Sequence, residues 1–369
     1  MAGLTEFSTS CLTVDGATAV QWMRQVISHL ATAPQPVWHR RKIFLADLQL
    51  ELVFDDASLA DHYVGILSSR AVEDLGEHRI FILTGTQTPE FGVPRLDQST
   101  CSPEAFQHLA RAAGLRAAYP FQEGTWKFYD TERRIGVQLT ERRETLPLWD
   151  ATAPLRQHLH WIFDEHEQRL AHAATLGLNG AGIVMFGAGG AGKSGTTLAG
   201  LSVGLKTVGD DYIALDMEGS GIARALYRVV KQDRAGLARL PHLQQGTADL
   251  ADNWRGKVMF NPDQYFLEPF VSELRLGAVV LPHIAHAAVP ALRPAKAREV
   301  MLALMTSNLF QFPAEQERGM SFYAKLLRQL PCFHLDLAAD AEQNGRLLKA
   351  FIEANFPHDG MRFSAELTG

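Results

Sequence analysis

Residues 179–197 read NGAGIVMFGAGGAGKSGTT: a turn signal, an apolar run of strand length, a glycine-rich stretch and then Lys-Ser-Gly-Thr-Thr. No regular element tolerates so many glycines in its interior, because each surrenders more backbone freedom on ordering than any other residue. The stretch therefore predicts strand, tight loop and helix in immediate succession. Gly187, Gly189 and Gly192 spell G-x-G-x-x-G, a dinucleotide fingerprint, while Gly187 to Ser194 spell G-x-x-x-x-G-K-S, a phosphate-binding P-loop.

The two patterns part after Gly192. A helix that receives a dinucleotide pyrophosphate needs neither a cation nor a hydroxyl in its first turn. Lys193 and Ser194 supply both, the ammonium for β- and γ-phosphate charge and the hydroxyl for Mg²⁺. The small residues Gly187, Ala188, Gly189, Gly190, Ala191 and Gly192 let backbone N–H groups turn inward around an anion. Gly195, Thr196 and Thr197 leave the first helical turn polar and uncrowded. The P-loop is the preferred reading, with ATP and Mg²⁺ as its ligands. An NAD-binding oxidoreductase is the weaker alternative, kept because Asp210 or Asp211 falls near the offset of about 20 residues at which such folds carry an acid.

A chain of 369 residues, 46% hydrophobic and 21% charged, has the length and apolar content for two domains or one elaborated domain. Its net charge of -6 provides no global basic field, so neither nucleic acid nor a membrane is expected as a partner. Cys11, Cys101 and Cys332 are widely separated and odd in number, which fits neither a disulfide framework nor a C-x-x-C site. The N-terminal residues lack the basic-then-apolar pattern of a leader, and no run approaches the roughly 18 apolar residues of a membrane span. A cytoplasmic protein is the expectation.

Residues 1–150 read as a mixed α+β domain. A helical stripe runs over 17–30 and ends at the prolines of 31–36; strands are expected at 47–56 and 79–85, and a strand pair within 125–140. Ser102 and Pro103 mark the start of a helix over 102–115. Prolines within 144–156 suggest a boundary, with the second domain covering 151–369.

In that second domain, 155–171 looks helical, and His158, Glu165 and His166 read as a solvated helix face rather than a zinc site. Asn179-Gly180 predicts a hairpin that pairs Ala174 with Met185 and, extended, sets His172 opposite Gly187. A helix should follow the glycine loop, and 205–211 should return as a strand ending in Asp210-Asp211. A further hairpin is expected around the EGSG of 218–221, a core strand at 273–282, helices at 294–305 and 321–330, a strand at 332–337 and a closing helix at 341–354.

Two adjacent carboxylates beside one phosphate site suit phosphoryl transfer, one serving the metal and the other an acceptor hydroxyl. Beside that stands the bland alternative of a polar strand-end turn. His172 is balanced between a packed core histidine and a residue that tunes an aspartate. Lys231 is a further candidate for phosphate or substrate contact, and the basic cluster 39–42 either grips an anion or keeps a strand edge soluble.

The order of these features, from His172 through the hairpin, the glycine loop and its helix to Asp210-Asp211, resembles the core of the bacterial HPr kinase/phosphorylase family. It is closest to the related serine kinases of bacterial gene clusters, and the likeness covers roughly residues 155 to 355. The resemblance implies a P-loop kinase domain of the phosphoenolpyruvate-carboxykinase and HPr-kinase type, and ATP-dependent phosphorylation of a hydroxyl. It further implies Asp210 as base, Asp211 with Ser194 on the metal side, His172 in support of Asp210, and a tendency to form homo-oligomers. Gly189 stands where the family's loop carries Ser, and its E-T-R-G-L-G-type segment is missing, so HPr itself and the reverse phosphorolysis are outside the expectation. The acceptor is left open among a protein serine, a peptide end, an amino acid and a sugar-like metabolite. A nucleotide-binding regulatory module without transfer is the alternative of a different class.

Overall fold

The computed structural model describes residues 13–32, 38–74, 76–85, 92–97, 99–118, 124–216, 221–311 and 316–356. The N-terminal leader reading, Cys11, the prolines after the first helix and residues 218–220 of the expected EGSG turn lie outside these residues. The chain is mixed α/β with several sheets, and divides into two compact units, Met1–Ile162 and Phe163–Gly369.

The first unit is built on a seven-stranded mixed sheet in the order Arg70–Ala71, His39–Leu45, Leu48–Phe54, His78–Thr84, Ile135–Thr140, Thr125–Asp130, Leu115–Ala118. The strand Leu48–Phe54 has an alternating sequence but is buried along nearly its whole length. Its Val53, with Phe81 and Trp126 of other strands, packs against Met23 and Ile27 of the helix Gly16–Thr32. Phe54 on the opposite face meets Tyr63 of the helix Ala57–Ile66 edge to face. Helices on both faces leave no solvated side, so alternation here separates two apolar layers. The helix Pro103–Ala112 starts as its sequence demands, with the Ser102 side chain accepting from the Ala105 N–H at 3.2 Å and proline in the first turn.

The boundary lies beyond the prolines that suggested it, because residues 148–162 are tied to the first sheet. Asp150 is 1% exposed and receives the Lys127 ammonium at 2.9 Å and Gln138 at 2.8 Å. The helix Arg156–Glu165 buries Leu159 and Ile162, and His158 donates from Nε2 to the Val137 carbonyl at 3.1 Å. His158 is thus a core residue and not part of a solvated face; burial pushes its pKa down to about 3. The helix also stops at Glu165, and Gln168–His172 is a strand.

The second unit carries an eight-stranded sheet in the order Gln168–His172, Tyr212–Asp216, Ile222–Arg224, Glu273–Ala287, Ala181–Met185, Ala174–Leu178, with Cys332–Ala338 and Ala291–Pro294 added along the long strand Glu273–Ala287. Ala181–Met185, Glu273–Ala287 and Cys332–Ala338 run parallel. Strand periodicity sorts Val184 and Phe186 onto one face, under Val300, Leu304, Tyr323 and Leu326 of the helices Ala297–Ser307 and Gln316–Gln329. Ile183 and Met185 face the other way, under Leu348 and Ile352 of the helix Ala341–Asn355. Each such fully buried side chain contributes about 1.5–3 kcal/mol relative to exposure. Among the described residues no helix is long and apolar enough to cross a membrane.

Candidate functional site

The Asn179-Gly180 hairpin forms in the expected register, Ala174 opposite Met185 through Leu178 opposite Ala181, with both turn residues at positive φ. The register does not extend to His172. The ladder breaks at Ala173, whose N–H goes to the Asp211 carbonyl at 3.1 Å, and His172 pairs with Tyr212 on a different strand.

Past Met185 the Phe186 N–H still donates to Val280 of the neighbouring strand at 3.1 Å, and the chain then leaves the sheet. Gly187, Gly190 and Gly192 take φ of 149°, 87° and 105°, which L side chains seldom adopt. At Gly192 a Cβ would also lie 2.5 Å from Leu337. Gly192 caps the helix Lys193–Ser202 with no side-chain acceptor, so the glycine residues carry the chain into a helix start whose positive dipole end is open to an anion.

Lys193 is 6% exposed and reaches back across the loop, Nζ donating to the Gly187 carbonyl at 2.7 Å and to Ala188 at 3.4 Å. Burial lowers its pKa, against the pull of Asp211 and Asp210. Thr196 and Thr197 turn their hydroxyls onto the Gly192 and Lys193 carbonyls at 2.8 and 3.1 Å. Gly195 stands close to Gln232 of the strand Val230–Asp233.

Residues 205–211 do not form the expected strand. They make isolated bridges at Lys206 and Thr207, and hydroxyls occupy positions that ladder groups would fill: Val208 N–H donates to the Thr175 hydroxyl at 2.9 Å and Gly209 N–H to the Thr207 hydroxyl at 3.0 Å. The two aspartates therefore precede the strand Tyr212–Asp216 instead of ending one. The backbone of this segment is held beside Ala173 and Thr175, which brings Asp210 to the first turn of the helix Lys193–Ser202.

Asp210 is 3% exposed, and its Oδ1 is buried with no hydrogen-bond partner among the described residues. Burial pushes its pKa up to about 6, reinforced by Asp211 and opposed by the Ser194 and Thr197 hydroxyls and the Lys193 ammonium. Asp211 behaves in the opposite way. Burial would raise it too, but Lys231, paired with Oδ2, and His172, with Nε2 3.2 Å from Oδ1, hold its carboxyl far below the usual range. His172 thus serves Asp211, not Asp210 as the sequence resemblance implied.

A second set of residues positions His172, and none of them stood out in the sequence. Asn308 clamps its backbone, accepting the His172 N–H at 2.7 Å and donating to its carbonyl at 3.2 Å. Gln311 Nε2 lies 3.1 Å from Nδ1 and accepts from the Tyr212 hydroxyl at 2.8 Å through Oε1. Nδ1 also faces the Ser307 carbonyl at 3.2 Å. Asn308 and Gln311 lie well over a hundred positions from His172 in an unremarkable stretch, so no local spacing could announce them.

The site therefore assembles, in one unit, an open helix start, the Lys193 and Lys231 ammonium groups, the Ser194 and Thr197 hydroxyls and two carboxylates of opposite proton affinity. No protein-family model matches this chain, and no curated protein matches it.

Proposed function

We propose that the chain is a magnesium- and ATP-dependent kinase that moves the γ-phosphoryl group onto a hydroxyl of a protein, peptide or small-molecule acceptor. The observation that supports it is the gathering of Lys193, Ser194, Asp210 and Asp211 at the mouth of a glycine loop. On this reading the second unit is a P-loop kinase domain of the phosphoenolpyruvate-carboxykinase and HPr-kinase type, and the first unit helps select the acceptor.

The residues fit a divalent cation. The donors at the first helical turn are oxygens, which suits Mg²⁺, and a buried Asp210 oxygen has no hydrogen-bond partner among the described residues. Ser194 and Asp211, whose carboxyl lies far below its ordinary pKa, would hold the ion. When bound, Mg²⁺ supplies positive charge to the β- and γ-phosphates. The loop amides and the helix N-terminus bind the phosphates. Lys193 gives up the Gly187 carbonyl to neutralise charge developing on the transferring group. The acceptor oxygen forms its bond to γ-phosphorus, the bond to the ADP oxygen breaks, and the acceptor proton passes to Asp210, whose proton affinity is matched to near-neutral conditions. His172 and Lys231 fix the Asp211 carboxylate.

Labelled ATP, with and without Mg²⁺, incubated with the protein and an extract of its own cell tests this. Metal-dependent appearance of label as a phosphate ester on a hydroxyl compound is expected. ATP binding with no transfer would instead favour a nucleotide-responsive regulatory module, and preference for NAD over ATP an oxidoreductase.

A further inference from the structure

The loop has a second flank. The carboxylates approach it from the side of Ala174–Leu178, which borders Ala181–Met185 on one edge. On the other edge lie Glu273–Ala287 and, beyond it, Cys332–Ala338, both parallel to Ala181–Met185. Ligands of open α/β sheets sit outside the carboxyl ends of such strands. There the structure has a cavity of about 430 Å³ that shares Gly187, Ala188 and Ala191 with the loop. That volume falls in the range of about 300–1,000 Å³ typical of small-molecule sites.

The cavity has an apolar wall and a polar rim. Leu281, Pro282 and Ala303 form the wall, with Phe186 buried beneath it. The rim carries Asp336, gripped in a two-pronged pair by Arg293 at 2.7 and 2.9 Å, with His283 Nδ1 at 3.7 Å. The strand pairing that sets Ala291 opposite Asp336 and Arg293 opposite His334 fixes this rim. An apolar wall takes the face of an aromatic base, and a carboxylate on a rigid strand takes hydrogen bonds from sugar hydroxyls.

We propose that this cavity holds the nucleoside of the bound nucleotide, its base against Leu281, Pro282 and Ala303 and its ribose hydroxyls directed to Asp336. The inference rests on the phosphate reading of the loop, and it gives the polyphosphate a direction: nucleoside on the Glu273–Ala287 flank, transferring phosphate on the carboxylate flank.

Equilibrium binding of ATP and of inorganic tripolyphosphate, both with Mg²⁺, to the full chain separates the two ideas. ATP should bind the unaltered protein at least about tenfold more tightly than tripolyphosphate, a difference of about 1.4 kcal/mol. Ala303→Phe, which fills the cavity, should remove that advantage and leave tripolyphosphate affinity unchanged. Asp336→Asn, which keeps the shape, should weaken ATP alone by several-fold and decides the matter if the first variant does not fold. Equal affinity for the two probes, or folded variants that bind ATP as well as the parent, overturns the nucleoside assignment while the loop reading stands. Binding of neither probe to the unaltered protein overturns the loop reading and this inference with it.

Discussion

Asp210 and Asp211 are consecutive in the chain and opposite in proton affinity: burial beside Ser194 pushes the first up to about 6, while Lys231 and His172 hold the second far below the ordinary carboxylate range. One peptide bond separates a carboxyl poised to exchange a proton from one that stays ionised. The difference comes from the neighbours, since both belong to the same buried turn.

Asp210 is expected to reduce stability at neutral pH. Its folded-state pKa lies above the ordinary value of 3.8, so the folded protein holds that proton more tightly than the unfolded chain does. The sign follows: no penalty below about pH 4, a penalty growing as pH rises toward 6, and a constant one above. Asp210→Asn should therefore stabilise the ligand-free protein at pH 8 by on the order of 2–3 kcal/mol and have little effect near pH 4. Thermal melts at the two pH values check this, and an Asn variant less stable than the parent at pH 8 would count against it.

On the proposed mechanism Asp210 takes the acceptor's proton, so turnover should decline at acid pH as that carboxylate becomes protonated, and Asp210→Asn should bind ATP yet lose transfer. Parallel loss of binding and transfer in that variant would point to a metal-holding or structural role instead.

Lys193→Ala removes the cation that now spans the loop to Gly187. Transfer should fall by at least about 10²-fold, the usual effect of deleting one charge-stabilising group, with the fold intact by circular dichroism. Unchanged turnover in a folded variant would sink the phosphate-site mechanism.

His172 contacts Asp211, so on the proposed mechanism it acts through that carboxylate and His172→Ala should lower turnover more than ATP affinity. His172→Gln, whose side-chain amide can still donate to Asp211, should recover part of the loss. Steady-state kinetics that show an altered KM for ATP and an unchanged kcat would refute the positioning role.

In the first unit the Lys127–Asp150 pair is buried on both sides, 4% and 2% exposed at the side chains. Lys127→Met strands a carboxylate among Tyr63 and Gln138 and should cost about 3–5 kcal/mol. Adding Asp150→Asn, which removes the charge and keeps an oxygen for Gln138, should return most of it. Denaturant unfolding of the single and double variants measures the recovery.

Much of the second unit's layout is legible locally. Asn179-Gly180 dictates a turn with two positive φ angles, and the register of Ala174–Leu178 on Ala181–Met185 follows from counting outward. The glycines at 187, 190 and 192 mark a loop only glycine enters easily, and Ser102-Pro103 and the Asn-Gly pair are signals that need no distant partner. The strand read into 205–211 failed because threonine hydroxyls from 175 and 207 replaced ladder hydrogen bonds, a substitution that depends on which segment lies alongside. His158 was misplaced for a similar reason: the 3.6-residue period says which residues share a face, and only packing against Val137 says that this face is inside.

By itself, then, the sequence determined the order strand, glycine loop, helix and the presence of a cation, a hydroxyl and two acids near it in the chain, because those features rest on backbone sterics and on neighbours a few positions away. The tertiary structure decided which acid has its proton affinity raised and which is kept charged, that His172 and Lys231 both address Asp211, and where the chain divides. Proton affinity and burial are set by groups that meet across the sheet, such as Lys231, Asn308 and Gln311, and chain spacing carries no record of those meetings.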